Sequence, residues 1–397
     1  SNNWGLNSST LNVTTSAVLR SYIWPSSVNA TLRRGESIAE SKTVAITTTI
    51  PKADIIFAFD LTGSMGGQLS TAKAKAIDIM NNLSLLVGDP HFAVMSFMDY
   101  PHSYTSYGYS ASYGTLGVDY AYRLDRAMTG DKTAVSSAIN ALRLGYGNDG
   151  PEDYTRVLYE SYADTGIGYR TGAKKILILF GDSVPHDNNL NEGVPGKTGN
   201  YSTGGDPGRD EVMFTADDLD LQAVLNQMKA NDVTLLALWS DWGYYQAYWS
   251  YWANITGGAY YRLDTPGDIP KAIQNLVEAE AKHISKLELK TSPGYEAWLF
   301  SVSPPYYTDL DIPAGGITKT FDIVIKVPDS TTPGQYVFNI SAIGDGASYG
   351  DQLVNITVPA YLEETQRKDS MNANGTYSFD FNLTVVRVNV TVNNNVS

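Results

Sequence analysis

Cysteine is absent from all 397 residues, which removes disulfide frameworks, zinc–thiolate centres and thiol nucleophiles from consideration. Charge is sparse as well. Asp, Glu, Lys and Arg make up 18% of the chain, below the ~25% usual for soluble domains, so a salt-adapted acidic shell is excluded. Positive charge is the scarcer sign: 28 Lys plus Arg stand against 42 Asp plus Glu, for a formal net charge of −14. Without clustered cations to neutralise phosphates, the chain is not expected to bind nucleic acid. Partners that are cations, or that bring cations, are favoured. No apolar run of about 18 residues and no signal peptide are found, so the expectation is a mature ectodomain, or one trimmed at both ends, with no membrane span.

What is present allows two to four domains with real cores, since 43% of residues are hydrophobic and domains take ~100 to 200 residues each. Of 26 Asn, 12 begin an N-x-S/T triplet: Asn7, Asn12, Asn29, Asn82, Asn200, Asn254, Asn339, Asn355, Asn374, Asn382, Asn389 and Asn395. Chance at this Ser and Thr content gives about 4 to 5, so the excess points to N-glycosylation and an exterior setting. A Ser/Thr-rich strand composition is the other source of such triplets. Abundant acceptor triplets without cysteine fit a prokaryotic, and in particular archaeal, cell-surface or appendage protein.

Two textures alternate along the chain. Residues 1–50 and 284–397 read as β structure, with alternating segments such as Thr43 to Ile50 and Phe321 to Val327. Between them, short apolar runs (Asp54 to Phe59, Phe92 to Phe97, Ile176 to Phe180, Val233 to Leu238, Ala259 to Leu263) alternate with helical stretches. That alternation predicts a doubly wound α/β domain at 51–283 with a mostly parallel sheet covered on both faces. Leu69, Ala72, Ala76, Met80, Leu83 and Val87 mark one helix face. Trp298 to Pro359 has the strand spacing of an immunoglobulin-like sandwich. The N-terminal flank, with strands at Ser16 to Trp24 and Ser41 to Ile50, is too short to fold alone. Either its strands join the C-terminal sandwich and the α/β domain is an insertion, or two β modules exist and the strand Tyr377 to Val392 completes the second.

Chemistry concentrates at strand ends. Asp60-Leu61-Thr62-Gly63-Ser64 follows a buried strand and precedes a helix, the crevice where open α/β folds bind ligands. An aspartate and two hydroxyls at alternate positions are hard oxygen ligands suited to Mg²⁺. A Walker loop would need Gly-Lys-Ser/Thr, which is missing; helix capping is the plain alternative for the hydroxyls. Gly147-Asn148-Asp149-Gly150-Pro151-Glu152 opens a further helix, and Leu177-Ile178-Leu179-Phe180-Gly181-Asp182 ends another buried strand in a carboxylate.

In these three motifs the middle domain resembles a von Willebrand factor A domain with a metal-ion-dependent adhesion site, most closely the I-like domain of integrin β subunits. The resemblance implies that Asp60, Thr62, Ser64, Glu152 and Asp182 hold Mg²⁺ (or Mn²⁺) and leave a position for a carboxylate of a protein or glycan partner. Ser96-Phe97-Met98-Asp99 is similar to the segment that supplies a neighbouring calcium. By that resemblance Asp99, Asp149, Glu152 and the Pro151 carbonyl form a second, Ca²⁺ site. The family's asparagine is Gly147 here, with Asn148 adjacent, and Gly67 and Gln68 stand where a third family site has acidic residues, so that site is expected to be absent.

Outside the resemblance, Asp206, Asp210, Asp217 and Asp218 have the oxygen density of a further calcium loop, or form a solvated acidic loop before a helix. Tyr100, Tyr104 and Tyr107, with His186, are expected to form a ligand-binding surface at the metal edge. The aromatic cluster from Trp239 to Trp252 is expected to serve packing. No nucleophile with an adjacent base is visible, so no enzyme is expected. The leading expectation is a metal-dependent adhesion or recognition module within a larger surface assembly; the alternative is a structural subunit of a surface layer or filament whose metal only stabilises loops.

Overall fold

The computed structural model describes residues 20–240, 243–360, 362–371 and 377–385, with side chains up to residue 360. The chain begins with strands β1 (Tyr22–Trp24), β2 (Ser27–Thr31) and β3 (Ser37–Ile46), then enters an α/β unit. That unit runs β4 (Ile50–Asp60), α1 (Gly66–Leu86), β5 (Val87–Phe97), the hairpin β6 (Ser103–Ser106) and β7 (Tyr109–Ser112), β8 (Arg123–Thr129), α2 (Lys132–Ala141) and α3 (Tyr154–Ala163). It continues through β9 (Lys174–Gly181), α4 (Leu221–Ala230), β10 (Val233–Trp239), α5 (Gln246–Ile255), β11 (Ala259–Arg262) and α6 (Ile269–Ala281). The chain ends in β12 (His283–Thr291), β13 (Leu299–Ser303), β14 (Tyr306–Asp311), β15 (Ile317–Lys326), β16 (Gly334–Gly344), β17 (Ala347–Val358), β18 (Leu362–Met371) and β19 (Tyr377–Val385).

The α/β unit is built on one six-stranded sheet of order β11-β10-β9-β4-β5-β8, parallel except for β8. Its central strands are apolar at nearly every position because both faces are covered. Alternate side chains of β4 divide accordingly: Ile55, Phe57 and Phe59 pack with α1, α2 and α6, while Ile56 and Ala58 pack with α3, α4 and α5. Helix α1 buries Leu69, Ala72, Ala76, Ile79, Met80 and Leu83. Val87, expected on that helix face, is instead the first residue of β5: the helix stops where its chain must turn into the sheet.

The flanking strands share one core. β3 pairs antiparallel with β15 from Ser37 opposite Lys326 to Ile46 opposite Ile317, and β2 lies parallel to β17. Sheets β1-β3-β15-β13 and β14-β12-β16-β17-β2 enclose Ile23, Val28 and Val44 from before the α/β unit with Phe321, Ile340 and Ile356 from after it. The α/β unit is thus an insertion into a two-sheet sandwich. Of the strand expected at Tyr377 to Val392, residues 386–392 lie outside the described residues; the described part, β19, pairs with β18 in a separate two-stranded sheet. Of the strand expected at Ser16 to Trp24, residues 16–19 lie outside the described residues; β1 covers only its end, and a short β2 follows Pro25.

Lys174, at the first residue of β9 and 1% exposed, joins the two units by ion pairs to Glu280 (2.8 Å) and Asp345 (3.8 Å). The sandwich therefore meets the parallel sheet at its amino edge. Among the described residues no helix is long and apolar enough to cross a membrane.

Candidate functional site

Three strands end together at the carboxyl edge, each continuing into a loop that bears a carboxylate: β4 into Asp60, β5 into Asp99 and β9 into Asp182. A fourth loop, residues 145–153, is strung across all three. Gly145 N donates to the Leu61 carbonyl (2.8 Å) and Gly63 N to the Tyr146 carbonyl (3.1 Å). Asn148 N bonds the Tyr113 carbonyl (2.7 Å), and Glu152 N the Val184 carbonyl (2.9 Å). Gly147 has φ +64, and a Cβ there would stand 2.8 Å from Glu152 Oε1 and 3.0 Å from Thr62 Cγ2. Only glycine lets the loop turn in that conformation while Glu152 lies against Thr62.

Asp60 is 1% exposed. Its Oδ1 accepts Thr62 N (2.8 Å) and Thr62 Oγ1 (2.6 Å), and its Oδ2 accepts the Tyr154 hydroxyl. That hydroxyl also accepts Asp182 N (3.2 Å) and Ser183 N (3.3 Å), so one phenol ties the first loop to the third. Burial, followed by the Asp182 charge, pushes the Asp60 carboxyl up to about 7. Glu152 is 5% exposed, and its Oε2 is buried without a hydrogen-bond partner. Burial first, then the charges of Asp60, Asp99, Asp149 and Asp182, push its carboxyl up to about 12. Ser64 lies exposed in the turn leading into α1, and Asp182 is half-buried. Three of the expected ligands, Asp60, Thr62 and Asp182, therefore gather around a fourth, Glu152, with the exposed Ser64 at the edge.

The residues expected to hold calcium surround His186. Asp99 Oδ2 is 3.3 Å and Asp149 Oδ1 3.8 Å from His186 Nε2, while Nδ1 is 2.8 Å from the Thr203 carbonyl. Pro151 is buried beside them. Asn148 is turned away, bonded to Ser112 and Thr115. Asp153, which the motifs did not single out, is 1% exposed, and neither of its carboxylate oxygens has a hydrogen-bond partner. Donor atoms of Asp99, Asp153 and His186 all lie within 4.8 Å of one another. Burial works against a charged His186, yet the Asp99 carboxylate holds its pKa above the ordinary value.

The remaining expectations change. Tyr100 is fully buried, its hydroxyl donating to Asp206 Oδ1 (2.6 Å) and the Gly208 carbonyl (3.0 Å), and His186 is 1% exposed. Neither belongs to a surface: both are inside walls of the site. Tyr104 is half-buried, and Tyr107 is exposed against Phe214 at the rim. In the acidic loop, Asp217 accepts Arg209 N (2.8 Å) and Asp210 N (3.0 Å), Asp210 accepts Val212 N (2.8 Å), and Asp218 accepts Phe214 N (2.7 Å). Each of these three carboxylates thus accepts from the loop's own backbone amides. Only Asp206 turns inward, 1% exposed with Oδ2 unpartnered. The helix after this loop is capped by Asp220 rather than Asp218. Trp239 and Trp249 are core residues whose Nε1 atoms both donate to the Ser183 carbonyl, propping the third loop.

No family model matches the chain, and no curated protein matches it. Solved structures similar to it include a von Willebrand factor type A protein from Catenulispora acidiphila, at 15% identity over 83% of this chain and 71% of that one, with TM-score 0.36. The pilus adhesin SpaC from Lactobacillus rhamnosus GG is 14% identical over 86% of this chain, which spans 48% of the adhesin, with TM-score 0.38. The ArnB paralog VWA2 from Sulfolobus acidocaldarius is 15% identical over 84% and 73%, with TM-score 0.31.

Proposed function

We propose that this protein is a recognition or adhesion module of a cell surface or appendage, which captures an acidic group of its partner through a divalent cation. Asp60, Thr62, Ser64, Glu152 and Asp182 would hold the cation, Mg²⁺ or Mn²⁺. The observation that carries this reading is the buried, unpartnered Oε2 of Glu152 in a group of carboxylates that burial and mutual repulsion hold partly protonated. A divalent ion supplies the missing charge and the missing partner at once, and oxygen donors suit these metals. A chain of net charge −14 repels an acidic partner unless a cation bridges the two.

The second reading, a structural subunit whose metal only stabilises loops, draws on the Tyr154 hydroxyl, which joins two of the loops without any partner. No catalytic role is proposed. Glycans are proposed at the exposed Asn200, Asn254 and Asn339, on a chain that forms part of a larger surface assembly. The two readings separate on a carboxylated dextran surface and its amidated counterpart. Retention on the carboxylated surface alone, in Mg²⁺ and not in chelator, supports partner capture. Retention indifferent to chelator and to Asp60→Ala would contradict it.

A further inference from the structure

Behind the edge described above lies a second group of donors of different chemistry. Asp99, Asp153 and His186 are 0%, 1% and 1% exposed. They come from three separate loops: the end of β5, the residue before α3, and the loop after β9. Asp149 and Asp206 border them, each with one buried carboxylate oxygen that accepts no hydrogen bond. Burying one unpaired carboxylate is costly, and burying several side by side costs more, unless they are neutralised or coordinate a metal.

We infer that Asp99, Asp153 and His186 form a buried binding site for a transition-metal dication of the Zn²⁺ type. The first support is Asp153: both of its oxygens are buried without a hydrogen-bond donor, and the side chains beside it are the Asp99 carboxylate and the His186 imidazole. The second is the orientation of the imidazole. His186 Nδ1 faces the Thr203 carbonyl at 2.8 Å and so carries a proton, which leaves Nε2, facing Asp99 at 3.3 Å, as the nitrogen a metal would take. A backbone carbonyl on the far ring nitrogen is the arrangement that fixes metal-bound histidines. Tyr113 stacks on the ring at 3.5 Å and 1°, so the ring cannot swing away.

One donor pair already has ligand spacing, and all three lie within 4.8 Å of one another. Ligands each about 2.1 Å from one ion stand roughly 3 to 3.5 Å apart, and Asp99 Oδ2 to His186 Nε2 falls in that range at 3.3 Å. The nitrogen then decides the ion, because calcium and magnesium prefer all-oxygen sites whereas imidazole suits zinc and its neighbours. This replaces the calcium expected at Asp99. The site is independent of the partner-binding reading, since Asp60 and Ser64 take no part in it.

The competing account is that His186 is an imidazolium that simply neutralises Asp99. Calorimetric titration of the chelator-stripped 397-residue chain with Zn²⁺, and separately with Ca²⁺, each in excess Mg²⁺ to occupy the Asp60 edge, distinguishes them. The site predicts one Zn²⁺ per chain under these conditions, with clear preference over Ca²⁺. It predicts that H186Q and D153N each weaken that event by about a hundredfold or more. Because D153N removes a buried charge at almost constant shape, it keeps the test valid if H186Q fails to fold. Cobalt(II) in place of zinc would add visible d–d bands that D153N abolishes. Zinc titration unchanged in D153N, or no zinc bound by the wild type, would overturn the inference and leave the imidazolium account.

Discussion

Replacing Tyr154 by Phe removes one oxygen and tests how the metal edge is held together. The phenol donates to Asp60 Oδ2 and accepts Asp182 N at 3.2 Å and Ser183 N at 3.3 Å. All of this is buried, and phenylalanine offers nothing in return. The two long amide contacts are each worth about 1 kcal/mol, and the bond to a carboxylate about 1.5 to 3, so the sum is about 3 to 5 kcal/mol against folding of the α/β unit. Some is recovered by keeping Asp60 protonated, since loss of this donor raises the carboxyl further. The expected net cost is therefore about 2 to 4 kcal/mol, with weaker binding of Mg²⁺ near neutral pH because the ion must displace a more tightly held proton. Urea unfolding followed by tryptophan fluorescence reads the first effect directly, as Trp239 and Trp249 have ring centroids 5.1 and 5.2 Å from that of Tyr154. A loss below about 0.5 kcal/mol, with Mg²⁺ affinity unchanged, would refute the view that this phenol joins the loops.

Stability of the metal-free chain should fall as pH rises. Asp60 holds its proton up to about 7 when folded against an ordinary 3.8, so its contribution is full below about 4 and declines through that window by about 1.4 kcal/mol per pH unit. Mg²⁺ should flatten this slope, which melting curves across the window with and without the ion will show. Lys174→Met strips the cation from Glu280 and Asp345 at the junction of the two units; a loss of about 3 kcal/mol is expected, and unchanged urea unfolding would argue against a joint there. Peptide mass spectrometry of chain from its native host should find glycans on Asn200, Asn254 or Asn339, and bare asparagines at all three would remove the glycosylation proposal.

The parallel sheet was legible because strands buried on both faces leave continuous apolar runs, such as Ile55 to Phe59, that few other structures need. Asp60, Thr62, Glu152 and Asp182 were legible because strand ends and loop spacing place them together. Asp153 was not, because a carboxylate beside Glu152 at a helix start reads as an ordinary capping residue; its side chain accepts no capping bond. His186 was placed near the site but assigned to a surface, since a lone histidine in a loop gives no sign of burial. Tyr100 misled for a related reason: composition shows a phenol, while only the fold shows that Asp206 and Gly208 wait for its hydroxyl inside. The internal bonding of the acidic loop was not legible, because sequence counts its oxygens and cannot count the backbone amides that donate to them. Strand β2 was overlooked because it is short, follows Pro25 and gains its stability from a partner more than 300 residues away, β17.

The central claim is that a cation at Asp60 and Glu152 keeps a coordination position for a partner's carboxylate. Crystals grown with Mn²⁺ and acetate, measured at the manganese absorption edge, test it most directly. The account predicts an anomalous peak bounded by Asp60, Thr62, Glu152 and Asp182, with an acetate oxygen or a water completing the shell on the Ser64 side. An ion wholly enclosed by protein donors would make the metal structural, and no peak at that edge would contradict the account altogether.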